Sequence, residues 1–461
     1  MTITEQKFFF RILGICCYVT TILYLVEHFI ISDIIRYTYS FLGFTLLVCS
    51  ILFIPNVNRI VIIALLISGS IFFYIERISF GEILLSFGEN INLLSLFLLI
   101  PLIGTFMSTA GYLSALKEKV QKWEKKGGKH PYFISFSLTA TIGVLLNFGS
   151  MAIVKRIADE SFSSYRDQKL TIIIMRGFGF CMLWSPYFVN VGLVLVLFEL
   201  SWFDIGGYGL ALSLIYLFMC VIMFKGTVFP DDPIVEHNHD HDLNSNTGQS
   251  LIPFITFCIV LIFLSLLLDY MLEVNMLTVV SLLAVIFPLI WALFTKLFFF
   301  YAHDVFEQVQ ASFSRIKNEL AVFISAGFFG VAISNTELGT HISTLLFQIS
   351  FGSVYLLTVF IVLLATLLAQ VGIHPVIIII GIGSALTPDK FGVSGEYLAL
   401  VLLIAWTVAA QLSPFSGQVL MASRLMGKTP IVLVKHNFRF VFFLGILLTA
   451  ALYGFYIIGL L

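Results

Sequence analysis

The chain has 461 residues, of which 59% are hydrophobic and only 11% charged, and its mean hydropathy is +1.03. That balance excludes a soluble globular domain, and a net charge of −1 offers no basic surface that would point to nucleic acid. Apolar runs rich in Phe, Leu and Ile recur along the whole sequence, each near the 20 residues a helix needs to cross about 30 Å of hydrocarbon, so an all-α polytopic membrane protein is expected.

The first run, residues 8 to 32, is too long for a signal-peptide core and lacks a small-residue cleavage site, so it reads as a mature span. Further spans are expected at roughly 37 to 55, 59 to 76, 91 to 113, 170 to 198, 204 to 224, 251 to 269, 276 to 300, 320 to 345, 394 to 423 and 432 to 460. Two stretches remain, 131 to 154 and 353 to 387. The first lies between two basic segments, "KEKVQKWEKKGGKH" and "KRIADESFSSYRDQK". Lysine and arginine collect on the cytoplasmic side, so both ends of 131 to 154 belong on one side and the stretch is expected to enter and return as a re-entrant hairpin. Treating 353 to 387 alike from the opposite side gives about 11 transmembrane helices plus two hairpins, with a cytoplasmic N-terminus in a cell membrane. All but four of the 25 Lys and Arg then fall on the cytoplasmic side, the exceptions being Arg36, Arg77 and Lys390 outside and Arg176 within a span.

The same count divides the chain. Residues 1–34 form an accessory helix; 35–224 hold three spans, a basic connector, a hairpin and two spans; 225–250 form a polar linker; and 251–461 repeat the order. Five crossings per unit invert the second unit relative to the first, a plan common among secondary transporters. Weak echoes support it: Gly149 matches Gly372 at an offset of 223, and Ser185-Pro186 matches Ser413-Pro414 at an offset of 228. In the linker, His237, His239 and His241 with Asp240 and Asp242 are suitable metal ligands, but a solvated tract explains the same polarity. The six cysteines lie in apolar segments without metal-ligand spacing and read as fillers rather than disulfides.

Candidate site residues fall at the hairpin tips and in the following spans. The tips "NFGS" and "QVGIHP" place Asn147 two residues before Gly149 and Ser150, and Gln370 two before Gly372 and His374. Glycine permits a turn, while amides and freed backbone groups can hold a solute or ion. The alternative is a continuous helix whose polar residue bonds a neighbour. Each Ser-Pro pair should break its helix, because Pro186 and Pro414 remove an N–H and leave carbonyls near 181–182 and 409–410 without partners. Polar neighbours follow each break: Asn190 after Ser185, and Ser416 and Gln418 after Ser413. A plain kink repaired by neighbours is the competing reading. His374 suits proton coupling or a neutral structural histidine equally well. Arg176 is expected to snorkel to the interface or else to face a central cavity. Glu337 and Asp389 are expected near the outer ends of their segments, either as gating groups or simply solvated there. No metalloprotease or nucleotide-loop motif is present.

This plan resembles the ion transporter superfamily, which includes the divalent anion/sodium symporters, over nearly the whole chain. The resemblance is architectural. The symporter tips carry Ser-Asn-Thr, whereas here such triplets stand at 334–336 and 245–247. It implies an elevator-like movement of the hairpin and broken-helix bundle, and a homodimer. The function expected is a secondary active transporter for a small anionic organic solute coupled to H+ or Na+, without an organic cofactor or bound metal and not an enzyme. The alternative is a polytopic envelope enzyme, such as a glycan polymerase or lipid-linked transferase. External loops holding only Arg36, Arg77 and Lys390 disfavour it.

Overall fold

Backbone groups that find no water in a bilayer must bond within their own segment, and this chain meets that demand with helix. The computed structural model describes residues 3–126, 130–236, 250–272, 274–334, 336 and 338–461. Five helices come first: α1 (Ile3–Glu27), α2 (Asp33–Ile51), α3 (Asn56–Ile75), α4 (Phe80–Ser86) and α5 (Ile91–Thr109). The amphipathic α6 (Tyr112–Lys125) buries Leu116 and Val120 and turns its lysines outward. It leads to α7 (Pro131–Leu146), α8 (Gly149–Ser161), the strand β1 (Ser164–Arg166), α9 (Asp167–Cys181), α10 (Val189–Leu197) and α11 (Trp202–Ile222). After strand β2 (Ile234–Glu236) follow α12 (Ile252–Met271), α13 (Met276–Phe294), α14 (Phe298–Ser334) and α15 (Leu338–Ile349). The chain ends with α16 (Val354–Gln370), α17 (Pro375–Gly383), α18 (Pro388–Phe391), α19 (Gly395–Leu412), α20 (Gly417–Met426) and α21 (Pro430–Ile457). Among the described residues ten helices are long and apolar enough to cross a membrane, as an all-α polytopic protein requires.

The element order recurs. Helices α9, α10 and α11 begin at 167, 189 and 202, and α19, α20 and α21 begin at 395, 417 and 430, a constant offset of 228. Between α5 and α14 the match reaches the residues: "NLLSLF" from Asn92 aligns with "NELAVF" from Asn318 at an offset of 226. The two phenylalanines of that alignment, Phe97 and Phe323, meet edge to face at 5.8 Å where the helices cross.

In both stretches read as hairpins the chain turns at the tip and its two ends come back together. At the base of the first, Arg166 N donates to Tyr132 Oη (3.0 Å), and Ser163 Oγ donates to Glu124 Oε1 on α6 (2.7 Å). At the base of the second, Lys390 bonds Thr344 and the Phe347 and Phe391 rings lie 6.2 Å apart.

Several boundaries differ from expectation. Residues 320 to 345 are not one span: α14 runs unbroken from Phe298, and α15 departs as a separate helix before a 113° bend into α16. Hydropathy missed the first half of α14 because polar residues from His303 to Glu319 occupy it. Much of the expected linker is structured, since β2 pairs antiparallel with β1, with Tyr165 opposite Val235. Asp232 then accepts from Gln168 N (2.8 Å) and Lys169 N (3.1 Å), capping α9 with a carboxylate where the helix dipole favours one. The histidine tract, Asn335 and Glu337 lie outside the described residues, while Asp389 is exposed on α18.

Candidate functional site

Each Ser-Pro pair does break its helix, and the two breaks are repaired alike. In an unbroken helix the residue 186 N–H would bond the carbonyl of Met182, and the residue 414 N–H that of Ala410, but Pro186 and Pro414 have none. Asn190 Nδ2 donates to Met182 O instead (2.6 Å), and Ser416 Oγ donates to Ala410 O. One residue earlier the ladder is intact, Ser185 N bonding Cys181 O and Ser413 N bonding Ala409 O. A helix interior held on one side of each break and a new N-terminus on the other is the outcome, rather than a kink.

The tips differ in how they turn. At the first, Asn147 itself takes a positive φ (50°, with ψ −135°), outside the left-handed helical well and more usual for glycine. Gly149 has ordinary φ and open space where a Cβ would stand, so the glycine is not what makes this turn. Ser150 Oγ closes it by donating to Asn147 O (2.7 Å). At the second, Gly372 does supply the positive φ (91°). His374 Nδ1 then accepts from Val376 N (3.3 Å) as the cap of α17. An Nδ1 that accepts carries no proton, so in this arrangement His374 is neutral with its Nε2–H free to donate. Gln370 Nε2 donates to Leu412 O and Ser413 Oγ to Ala369 O, both at 2.7 Å, which ties the second tip to the second break.

Tips and breaks converge on one cavity of ≈ 180 Å³. Of the sequence-derived residues, Asn147, Asn190, His374, Ser416 and Gln418 line it. Gly149, Ser150, Ser185, Pro186, Gln370, Gly372, Ser413 and Pro414 do not; they shape the turns and breaks behind the lining. The first tip reaches the second break directly: a Cβ on Gly417 would come within 3.2 Å of the Phe148 ring. Gln418 Nε2 donates to Met175 O on α9 (2.8 Å), leaving its buried Oε1 without a partner.

Sequence reasoning missed two groups of lining residues. The rings of Phe97, Phe148, Phe178, Phe188, Phe323, Trp406 and Phe415 line the wall, and no signal separates them in a chain with 48 phenylalanines. Asn318 and Glu319, from α14, were legible through the "NLLSLF"/"NELAVF" match, but Glu319 fell one residue outside the expected span. Arg176 follows neither expectation. It is 1% exposed, donates to Asn437 Oδ1 (3.1 Å) and Thr227 Oγ1 (2.9 Å), and lies 3.9 Å from the centre of the Phe440 ring, away from the cavity.

Chemically the site is a set of helix N-termini facing an aromatic box. α10, α17 and α20 start at lining residues, and α8 starts one residue beyond Phe148; His374 and Ser416 cap α17 and α20, Ser150 N and Met151 N of α8 bond Asn147 O and Phe148 O, and α10 has no side-chain cap, so its first N–H groups remain available. Among the described residues no lysine or arginine lines the cavity. No protein-family model matches this sequence, and no significant match is found among curated proteins.

Proposed function

We propose that this protein is a secondary active transporter that moves a small anionic organic solute across the cell membrane, driven by an H+ or Na+ gradient. The observation that carries the reading is the convergence of two hairpin tips and two repaired helix breaks on a single cavity. Breaking a helix within an apolar segment demands side-chain repair, which the fold supplies twice, and transporters place such broken helices at their substrate sites. With the uncapped N-terminus of α10 at the cavity, two more helix starts beside it and no basic side chain among the described lining residues, backbone N–H groups, helix dipoles and amides are the natural recognition for a carboxylate.

The two halves are proposed to be inverted repeats with a cytoplasmic N-terminus. The bundle α7–α10 with α16–α20 would move as an elevator against α3, α5 and α14, whose residues Asn58, Phe97 and Phe323 close the cavity from the other side. A homodimer would give that scaffold a stationary footing. Uptake by the purified protein in proteoliposomes tests the reading, using labelled mono-, di- and tricarboxylates with imposed pH or sodium gradients. Saturable gradient-dependent flux that falls at least tenfold in Asn147→Ala and Gln418→Ala is the expected result. Absence of such flux for every solute, or flux indifferent to both substitutions, would sink it.

A further inference from the structure

We propose that Glu319 is the residue that carries the coupling proton; the inference rests on the transport reading above and names its driving ion. Glu319 lines the cavity from α14, and its Oε2 is closed off from the surface without a hydrogen-bond partner. The fold does not require a carboxylate there. At the matching position of the first half, 226 residues earlier, stands Leu93, fully buried between the equivalents Asn92 and Leu94. Asn318 and Phe323 keep their counterparts Asn92 and Phe97, so the charge is an addition to an otherwise repeated pattern.

The surroundings leave that charge unanswered. From α3, α5, α9, α10 and the second break the cavity receives Asn58, Phe97, Phe178, Met182, Val189, Asn190, Phe415, Ser416 and Gln418, none of them ionisable. From the second tip it receives His374, whose Nδ1 is engaged in capping α17. On α14 itself, Lys317 lies over the Phe10 ring (5.5 Å) and Arg315 faces a separate groove beside Lys7 and Asp304. An ionised Glu319 would therefore share a small apolar cavity with an anionic solute. At about 7 Å and an effective dielectric near 20, the repulsion weakens solute binding about 50-fold. One proton added to Oε2 gives a neutral carboxylic acid, removes the repulsion and supplies a hydrogen-bond donor. Solute and proton then bind together and leave together, which is symport. Asn318 Oδ1 and Gln418 Oε1 also line the cavity without partners, but they are neutral amide oxygens that do not take up a proton near neutral pH, so of these three unpartnered oxygens Glu319 Oε2 is the one that can carry it.

Two measurements on the full-length protein test this, and the first needs no solute. Infrared difference spectra across a pH step should show a protonated-carboxyl band that grows on acidification and is missing in Glu319→Gln. In proteoliposomes, an inward proton gradient should drive carboxylate accumulation by the natural protein. Glu319→Gln and Glu319→Leu, the latter borrowed from position 93, should lose at least tenfold of that accumulation. A spectrum identical in Glu319→Gln overturns the proposal. So does sodium-driven uptake that depends on Glu319, or Glu319-dependent quenching of tryptophan fluorescence by tetramethylammonium, which would make the carboxylate a cation-binding group. If the carboxyl band is present but no carboxylate is transported, the transport reading fails separately.

Discussion

Asn190→Leu isolates one atom-level consequence of the helix breaks. The side chain of Asn190 is 2% exposed and is the group that answers the Met182 carbonyl in place of the N–H that Pro186 lacks. Leucine has the same branched skeleton of four side-chain heavy atoms, so the substitution removes the donor while leaving no void. A buried carbonyl without a partner costs about 1–3 kcal/mol, reduced where cavity water reaches it. A value near 2 kcal/mol would lower the thermal midpoint of a chain this size by about 2–4 °C. Heating the detergent-solubilised protein and following monodisperse recovery on size exclusion measures that shift. Ser416→Ala, which orphans Ala410 O in the equivalent place, should cost a similar amount, and the two losses should add because the carbonyls they serve are distinct. An unchanged midpoint in both variants would falsify the account of the breaks as repaired by side chains.

Other outcomes follow from the same geometry. Single cysteines at His130 and Ser163, which flank the first hairpin, should label from the same side of the membrane; labelling from opposite sides would make α7 and α8 one crossing. Gly417→Val forces a side chain against the Phe148 ring and should cut uptake several-fold with expression preserved, whereas Gly149→Ala, in open space, should be silent in the same assay. Asp232→Asn weakens the remote cap of α9 and should lower the thermal midpoint by the equivalent of about 1 kcal/mol, detectable in the same heating experiment.

Much of the fold was readable because bilayer physics writes it in composition. Long apolar runs and a repeated order of punctuation were enough to anticipate the turns at both tips and both breaks. Hydropathy fails where polarity and helix coexist, as in α14, whose first half carries His303, Asp304, Glu307, Arg315 and Lys317 yet continues straight into its apolar half. The candidate site was half legible. Polar residues stand out against an apolar background, so Asn147, Asn190, His374, Ser416 and Gln418 were visible. Aromatic walls do not stand out, and Glu319 looked like the edge of a loop. The same local rule gave different turns at the two tips, because asparagine as well as glycine can adopt positive φ.

The contact between Phe148 and Gly417 also sets a schedule for biogenesis. The first tip is synthesised about 270 residues before the backbone it rests on, and at roughly 5–20 residues per second that gap amounts to tens of seconds. During that time the positive-φ turn at Asn147 stands in the membrane with one wall absent. Insertion machinery or lipid must cover it until α20 arrives. A nascent chain stalled before residue 417 should therefore expose the first tip to proteolysis or to a thiol reagent placed at 148, and protection should appear only once the last two helices have been made.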